Sequence, residues 1–519
     1  MSTRRGPVKR TALSLLVMVT AVRPARAEEP SPVRLEEPAS ATSKDPDTPD
    51  ATLEETKPVT VPARYWIEHI DVIGNKKTRT TVVRQFVPFA VGDTLDANDV
   101  RLESARYRLL GTGFFSKVDL SLRKGSQRGW VRLVVRVEER NTIILNDLWL
   151  GLASDVSPDG EPRPITAYGG AHVSEMNLLG TGIALSGAFI IADRQFGVRA
   201  GFTNPHLFGS HWIAESEVWG MRARDFFGNR DVLVDDPREK TGQDYASPRY
   251  SRVGGSMTVG HDLGVSTQLF AGYRLERIEA DLPLAASHVY GLEVQPLDFY
   301  LEREISYLSA LRASFVFDTR DDTALPTQGQ HLVAQVDTGL NAIGSSYSYA
   351  KLIARFSHYW HLPWNHVLRL EAFVGSIAGR APLFERFYVG DLTDFLPDRV
   401  LDLTFDRRPP PNFLHTSIVE QRYGDHAARL QLEYRMPVHR GRKFIYGADL
   451  FFTLGVYGVA QQSDFTRGIT GYRGFNSVPL DLNFNAGVRI SSLAGNLQLG
   501  IANVLSFLPV RGPEEGAQR

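Results

Sequence analysis

The sequence predicts a transmembrane antiparallel β-barrel of sixteen strands preceded by one small α+β domain. Three observations predict it: strict polar/apolar alternation over segments of about ten residues, short turns taking turns with long irregular connections, and an N-terminus built for export.

Composition alone points elsewhere. Of 519 residues, 43% are hydrophobic and 23% charged, and the mean hydropathy is -0.19, which are values of a water-soluble chain. Beyond the N-terminus no run of about 18 apolar residues exists, so transmembrane helices are excluded. Barrel strands are not, because their lipid-facing and lumen-facing residues alternate and cancel in any average.

The first 27 residues carry a basic head (Arg4, Arg5, Lys9, Arg10), an apolar stretch over 12–22 and the small-residue ending Ala25-Arg26-Ala27. This reads as a secretory signal peptide over 1–27. About ten apolar residues are too few for a membrane anchor. Export permits disulfides, yet the chain has no cysteine, so packing and hydrogen bonds alone hold the fold. A net charge of -1 gives no basic field for nucleic acid, which is set aside as a partner.

Residues 28–62 are rich in Glu, Asp, Pro, Ser and Thr and read as a disordered linker. A small domain occupies 63–140. Within it, residues 65–139 read as β-α-α-β-β. Ile67, Ile70 and Val72 mark a strand that breaks at Gly74-Asn75. Val82, Val83 and Phe86, then Leu102, Ala105 and Leu109, have helical spacing. Val118, Leu120 and Leu122, and then Val131, Leu133, Val135 and Val137, alternate with polar neighbours. One buried face on each strand suits a small antiparallel sheet covered by helices.

Residues 141–510 read as the barrel and 511–519 as a tail. Over 429–436 every odd position is polar and every even one apolar, and 480–490, 311–318, 332–338 and 368–374 behave alike. About fifteen such segments are countable, and single-chain bacterial barrels favour even numbers, hence sixteen. Gly180-Thr181-Gly182 and Pro326-Thr327-Gln328-Gly329 are short turns, whereas 226–248, 283–303 and 380–426 are long connections. Tyr359, Trp360 and Trp364 gather at strand ends, where an interfacial girdle lies. Only closure satisfies every backbone group in lipid.

Three ordered motifs in the small domain resemble a polypeptide-transport-associated (POTRA) domain: Ile70-Asp71-Val72-Ile73-Gly74-Asn75, Gly111-Thr112-Gly113-Phe114-Phe115-Ser116-Lys117-Val118 and Val135-Arg136-Val137-Glu138-Glu139. The barrel resembles the BamA/TamA-type outer-membrane assembly superfamily, as a divergent member. The resemblance is carried by Asn177 with Gly180 and Gly182, by Asn204-Pro205 within 203–209, and by Asp318, Arg320 and Asp321 followed by Gly329. It implies a protein in the bacterial outer membrane, its POTRA domain in the periplasm, that inserts other proteins or translocates them without hydrolysis. Implied partners are outer-membrane lipids and unfolded outer-membrane or secreted clients, with periplasmic chaperones or accessory lipoproteins as further candidates. Two alternatives stand beside it: a two-partner-secretion type translocator of one exoprotein, and a passive channel or structural barrel.

The family's signature is an Arg-Gly-Phe/Tyr tripeptide at the tip of a lumenal loop, its arginine held by acidic wall residues. Desolvation makes a carboxylate partner necessary. Arg473-Gly474-Phe475 matches in residues but only two strands follow it. The loop in the expected place follows Asp391 and holds Asp398-Arg399 without the tripeptide. Either Arg399 substitutes, with Glu433 on the following strand as its partner, or Arg473 serves from the next loop, or both are ordinary loop residues. Arg369, Glu371, Arg429, Glu433, Arg435 and Arg489 face the lumen by alternation and are expected to form a network.

No catalytic, cofactor or metal site is expected. His358 and His361, three apart on a strand, point to opposite faces and share no ligand, and His366 begins the next strand. Arg407-Arg408-Pro409-Pro410-Pro411 stiffens the long loop.

Overall fold

The computed structural model describes residues 18–20 and 64–502, apart from 97–98, 154–165, 228–231, 235–244, 265, 291–292, 322–324, 395–398, 406–409, 411, 442–444, 470 and 493–494. The chain divides into two compact units, one of residues 25–141 with 179–181 and one taking up the remainder.

The smaller unit runs β1 (Tyr65–Ile73), α1 (Thr80–Gln85), β2 (Thr94–Leu95), α2 (Val100–Gly111), β3 (Phe115–Lys124) and β4 (Trp130–Glu139). Its sheet order is β2-β1-β4-β3. β1 and β4 pair in parallel, from Trp66 opposite Trp130 to Ile73 opposite Arg136. This corrects the expectation of a wholly antiparallel sheet. Both helices and β3 lie in the connection between the two strands, long enough for the crossover that parallel pairing demands. Ile67, Ala105, Leu109, Leu133 and Val135 are fully buried between sheet and helices.

The three motifs of this unit are turn-building parts. Gly74 has φ +98°, and a β-carbon there would lie 2.0 Å from the Val137 carbonyl oxygen, so only glycine fits. Glu139 accepts from the backbone N–H groups of Lys77 at 2.9 Å and Thr78 at 2.6 Å. Burial pushes its carboxyl up, but the Thr78 and Lys77 donors outweigh this and hold it below the usual range. Thr112 Oγ1 donates to the Leu109 carbonyl at 2.7 Å and accepts from Phe114 N–H at 3.1 Å, closing α2 ahead of Gly113 at φ +74°.

The larger unit is built on fifteen strands: β5 (Ile143–Ala153), β6 (Thr166–Glu175), β7 (Ala184–Ala192), β8 (Gln195–Asn204), β9 (Trp212–Arg224), β10 (Arg249–Asp262), β11 (Thr267–Asp281), β12 (Glu304–Asp318), β13 (Gly329–Gly339), β14 (Ser348–Leu362), β15 (His366–Arg380), β16 (His426–Arg440), β17 (Ile445–Ala460), β18 (Leu480–Ser492) and β19 (Gly495–Ala502). They pair antiparallel in chain order in a sheet of sixteen members. The sixteenth is Met18–Thr20, paired with Asp147–Trp149 of β5. It lies next to β19 as well. The first and last strands of this unit, β5 and β19, are thus bridged by three residues. Residues 503–519 lie outside the described residues.

The side-chain pattern is that of a wall between lipid and a polar lumen. In β16 Leu430 is 50% exposed and Leu432 45%, whereas Gln431 is 7% and Glu433 5% exposed. A soluble sheet would show the reverse. Connections alternate as expected, with 319–328 and 363–365 short, 225–248, 282–303 and 381–425 long. Trp360 and Trp364 are exposed, but Tyr359 is buried. Tyr359 therefore leaves the expected girdle, because the strand's two-residue period turns it inward.

The barrel motifs are turns at one end of the wall. Asn177 Oδ1 accepts from Gly182 N–H at 2.8 Å, around Gly180 and Gly182 at φ +72° and +76°. Asn204 Oδ1 accepts from His206 N–H at 3.1 Å across Pro205. Asp318 pairs with Arg320 at 2.6 Å, and Asp321 accepts from Thr327 N–H at 2.8 Å. Gly329, at φ +105°, closes that turn.

Gly74→Ala is expected to destabilise the smaller unit by about 1–3 kcal/mol, the usual cost of a strained backbone position. Hydrogen exchange on the whole protein should show faster exchange around 74–78 and 135–139. Unchanged protection there would refute the steric requirement.

Candidate functional site

The connection 381–425 between β15 and β16 does not lie on the surface. Leu383, Phe384, Phe387, Tyr388, Val389, Leu392, Leu403, Ile418 and Tyr423 are all buried, in the same apolar cluster as the inward-facing Trp219, Ile278 and Tyr457 of the wall. Phe387–Tyr388 pairs antiparallel with Tyr423–Gly424, which makes a two-stranded stem. A connection exposed to water does not carry so many aromatic and aliphatic residues, and burying them is what draws this one into the lumen.

Wall residues on opposite sides of the barrel tie the loop down. Gln195 of β8 donates to the Thr404 carbonyl at 2.9 Å. Asp225, just after β9, accepts from Tyr250 and Tyr423 hydroxyls, each at 2.7 Å. Across the lumen, Asp481 of β18 accepts from the backbone N–H groups of Phe413 and Leu414 at 3.0 Å, and Asn483 accepts from Asp394 N–H at 3.1 Å.

Buried charges follow the same logic. Glu385 pairs with Arg274 of β11 at 2.7 Å and with Lys351 of β14 at 3.0 Å. Arg386 pairs with Asp425 at 2.7 Å, its guanidinium 3.6 Å from the Tyr300 ring centroid. Burial pushes the Glu385 carboxyl up, but Arg274 and Lys351 outweigh it and hold it well below the usual range.

Arg399 lies in this loop with its side chain 12% exposed. Its carboxylate partner is Asp391, at 2.7 Å, and it donates to the carbonyls of Phe384 at 2.9 Å and Arg386 at 3.0 Å. The expected pair with Glu433 does not form. Glu433 is already taken, by Arg489 at 3.2 Å, Arg369 at 3.6 Å and Arg435 at 3.7 Å. Arg369 and Arg429 also pair with Glu371, so all six lumen-facing charges expected from alternation join one network. Arg473, Gly474 and Phe475 are exposed. Asp398 and most of the Arg407–Pro411 run lie outside the described residues.

Sequence reasoning missed Glu385, Asp225 and Asp481 as holders of the loop. The signal for Glu385 was present: Phe384-Glu385-Arg386-Phe387-Tyr388 embeds two charges among aromatics, which water-exposed loops rarely do.

Among known proteins, residues 177–394 match the Omp85 superfamily domain and residues 65–140 the surface antigen variable number repeat of POTRA type. The outer membrane protein assembly factor BamA of Nitratidesulfovibrio vulgaris is 26% identical over 337 residues, 63% of this chain and 37% of that protein. Its counterpart from Neorickettsia risticii is 27% identical over 288 residues, 54% of this chain and 33% of that protein. The chain thus spans about a third of the length of these curated relatives. CdiB from Escherichia coli has the same fold, with a TM-score of 0.55 and 12% identity over 85% of this chain and 73% of that one.

Removing Glu385 leaves Arg274 and Lys351 buried without their shared carboxylate. Glu385→Ala should cost about 3–5 kcal/mol, seen as a lower temperature at which the unheated, fast-migrating barrel form is lost on a detergent gel. An unchanged transition would refute the anchoring role. Because the folded carboxyl ionises below its unfolded value, its contribution is complete above the unfolded value and fades as pH falls through the folded one. The wild-type barrel should keep its fast-migrating form at about pH 5 and lose this contribution only in stronger acid.

With this order of motifs, this wall and this lumenal loop, the chain resembles the BamA/TamA-type outer-membrane assembly superfamily as a divergent member, with an Omp85 superfamily domain over 177–394 and a POTRA-type repeat over 65–140.

Proposed function

We propose that this protein inserts other proteins into the outer membrane or passes them across it, its periplasmic POTRA domain receiving unfolded client chains and its barrel templating or passing them without hydrolysing a substrate. The observation that carries the reading is the seam. Fifteen strands pair in chain order along most of their lengths, whereas β5 and β19 approach each other without pairing among the described residues and have the three residues Met18–Thr20 between them. β19 has eight residues and contains Gly500, which weakens strand pairing. A weakly held seam offers unpaired backbone to an incoming strand. The ten-residue edge strand β3 offers the same in the smaller unit. A passive channel needs an open lumen, and the described residues of the loop 381–425 pack into this one.

In the same reading residues 1–27 direct export and are removed after Ala27, 28–62 is a linker and 511–519 a tail. Cleavage takes Met18–Thr20 from the sheet and leaves both terminal strands as edges. Intact-mass measurement of the protein purified from outer membranes should show the loss of residues 1–27. Full-length mass would refute cleavage and leave the seam bridged.

Depletion in the native host followed by outer-membrane and secreted proteomics tests the function. Loss of many barrel proteins is expected. Loss of one secreted protein would instead identify a dedicated translocator, and loss of neither would overturn the proposal.

A further inference from the structure

The lumenal loop ends in a tip whose geometry the Arg399 contacts do not explain. Val400 and Leu403 form a bridge, with Val400 N–H donating to the Leu403 carbonyl at 3.1 Å and Leu403 N–H to the Val400 carbonyl at 3.0 Å. Between them Leu401 and Asp402 both have positive φ, +48° and +62°. Two such residues in succession make a tight primed turn, which usually takes Asn-Gly. Leucine in that position is strained, and strain of this kind persists only where surrounding structure holds it.

What surrounds it is basic. Asp402 Oδ2 lies 3.5 Å from Arg199 of β8 and 3.4 Å from Arg252 of β10. Arg252 is 1% exposed, binds Glu276 of β11 at 2.7 Å, and has the loop's own Phe384 ring 3.8 Å away on its face. Glu276 also pairs with Arg274, and Arg274 with Glu385. Alternating charges therefore run from β8 through the tip, β10 and β11 back to the root of the loop. The turn also rests on bare backbone: a β-carbon at Gly197 of β8 would lie 3.6 Å from Cβ of Leu401.

The tip divides space. One cavity of about 510 Å³ has Lys351, Glu371, Arg399 and Asp402 in its wall. Another of about 350 Å³ has Asp147, His172, Arg399 and Leu401 in its wall. Asp402, with 44% of its side chain exposed, lines the larger of these two cavities.

We infer that Asp402 is a positioning residue that latches the loop tip onto Arg199 and Arg252, with the polarity opposite to a loop arginine on acidic walls, and that release of this latch joins the two lumenal cavities. The latch goes beyond the assembly reading and stands whether or not depletion lowers any client.

The cysteine-free chain makes a clean test. In the double variant Gly197→Cys/Leu401→Cys, the β-carbon spacing of 3.6 Å suits a disulfide, and one should form on oxidation. Asp402→Asn keeps a residue tolerant of positive φ and removes only the charge. Added to the cysteine pair, it should lower the crosslinked fraction about fivefold, the effect of losing roughly one modest ionic contact. Asp402→Asn alone should raise single-channel conductance in planar bilayers. Combined with the oxidised cysteine pair it should stay quiet until reductant is added. Fast gel migration of the unheated barrel certifies folding. If Asp402→Asn fails that check, Arg199→Ala breaks the same contact from the wall and is read the same way. Undiminished crosslinking together with unchanged conductance would overturn the latch.

Discussion

A charge buried inside the barrel has little water to turn to, and this single constraint organises the larger unit. The wall is one residue thick, so alternation that satisfies lipid on one face delivers Arg, Glu, Asp and Lys to the other. Each must meet an opposite charge or a backbone dipole, because an uncompensated buried ion costs several kcal/mol. Glu433 meets three arginines, Glu385 meets Arg274 and Lys351, and Asp481 meets two backbone N–H groups. The loop supplies counter-charges and donors that the wall alone lacks. Its aromatic residues then exclude water from the pairs they cover, which strengthens them.

Most of the architecture was legible in the sequence, since strand periodicity is a local property. The segments 429–436 and 480–490 fall inside β16 and β18, and in β16 the polar and apolar positions take opposite faces as expected. Gly74, Gly113, Gly180, Gly182 and Gly329 of the motifs sit where positive φ is needed. Pairing partners were not legible, because they depend on register between strands far apart in the chain. Glu433 sits on the right strand to meet a lumenal arginine, and nothing nearby in sequence reveals that Arg369 and Arg489 already claim it. The parallel pairing of β1 with β4 was hidden for the same reason: alternation gives the buried face of a strand but not the direction of its neighbour.

The candidate site divides along the same line. Placing the lumenal loop after β15 needed only strand counting and family motifs, and its seat inside the barrel follows from aromatic content. Arg399 is in the loop, yet its ion pair is within the loop, to Asp391. What joins loop to wall is a set of carboxylates and hydroxyls that resemble ordinary loop residues until their distant partners are known.

Those distances in sequence also bear on time. The bond from Gln195 to Thr404 spans 209 positions and that from Tyr423 to Asp225 spans 198. Closing such spans is slow beside forming a hairpin. The walls at β8 to β10 must therefore stand before the loop can dock, and the loop must wait with its aromatics uncovered until they do. A barrel whose loop has not yet docked is therefore expected to be distinguishable from a finished one by whether Leu383–Leu392 and Val400–Phe405 are still within reach of a protease.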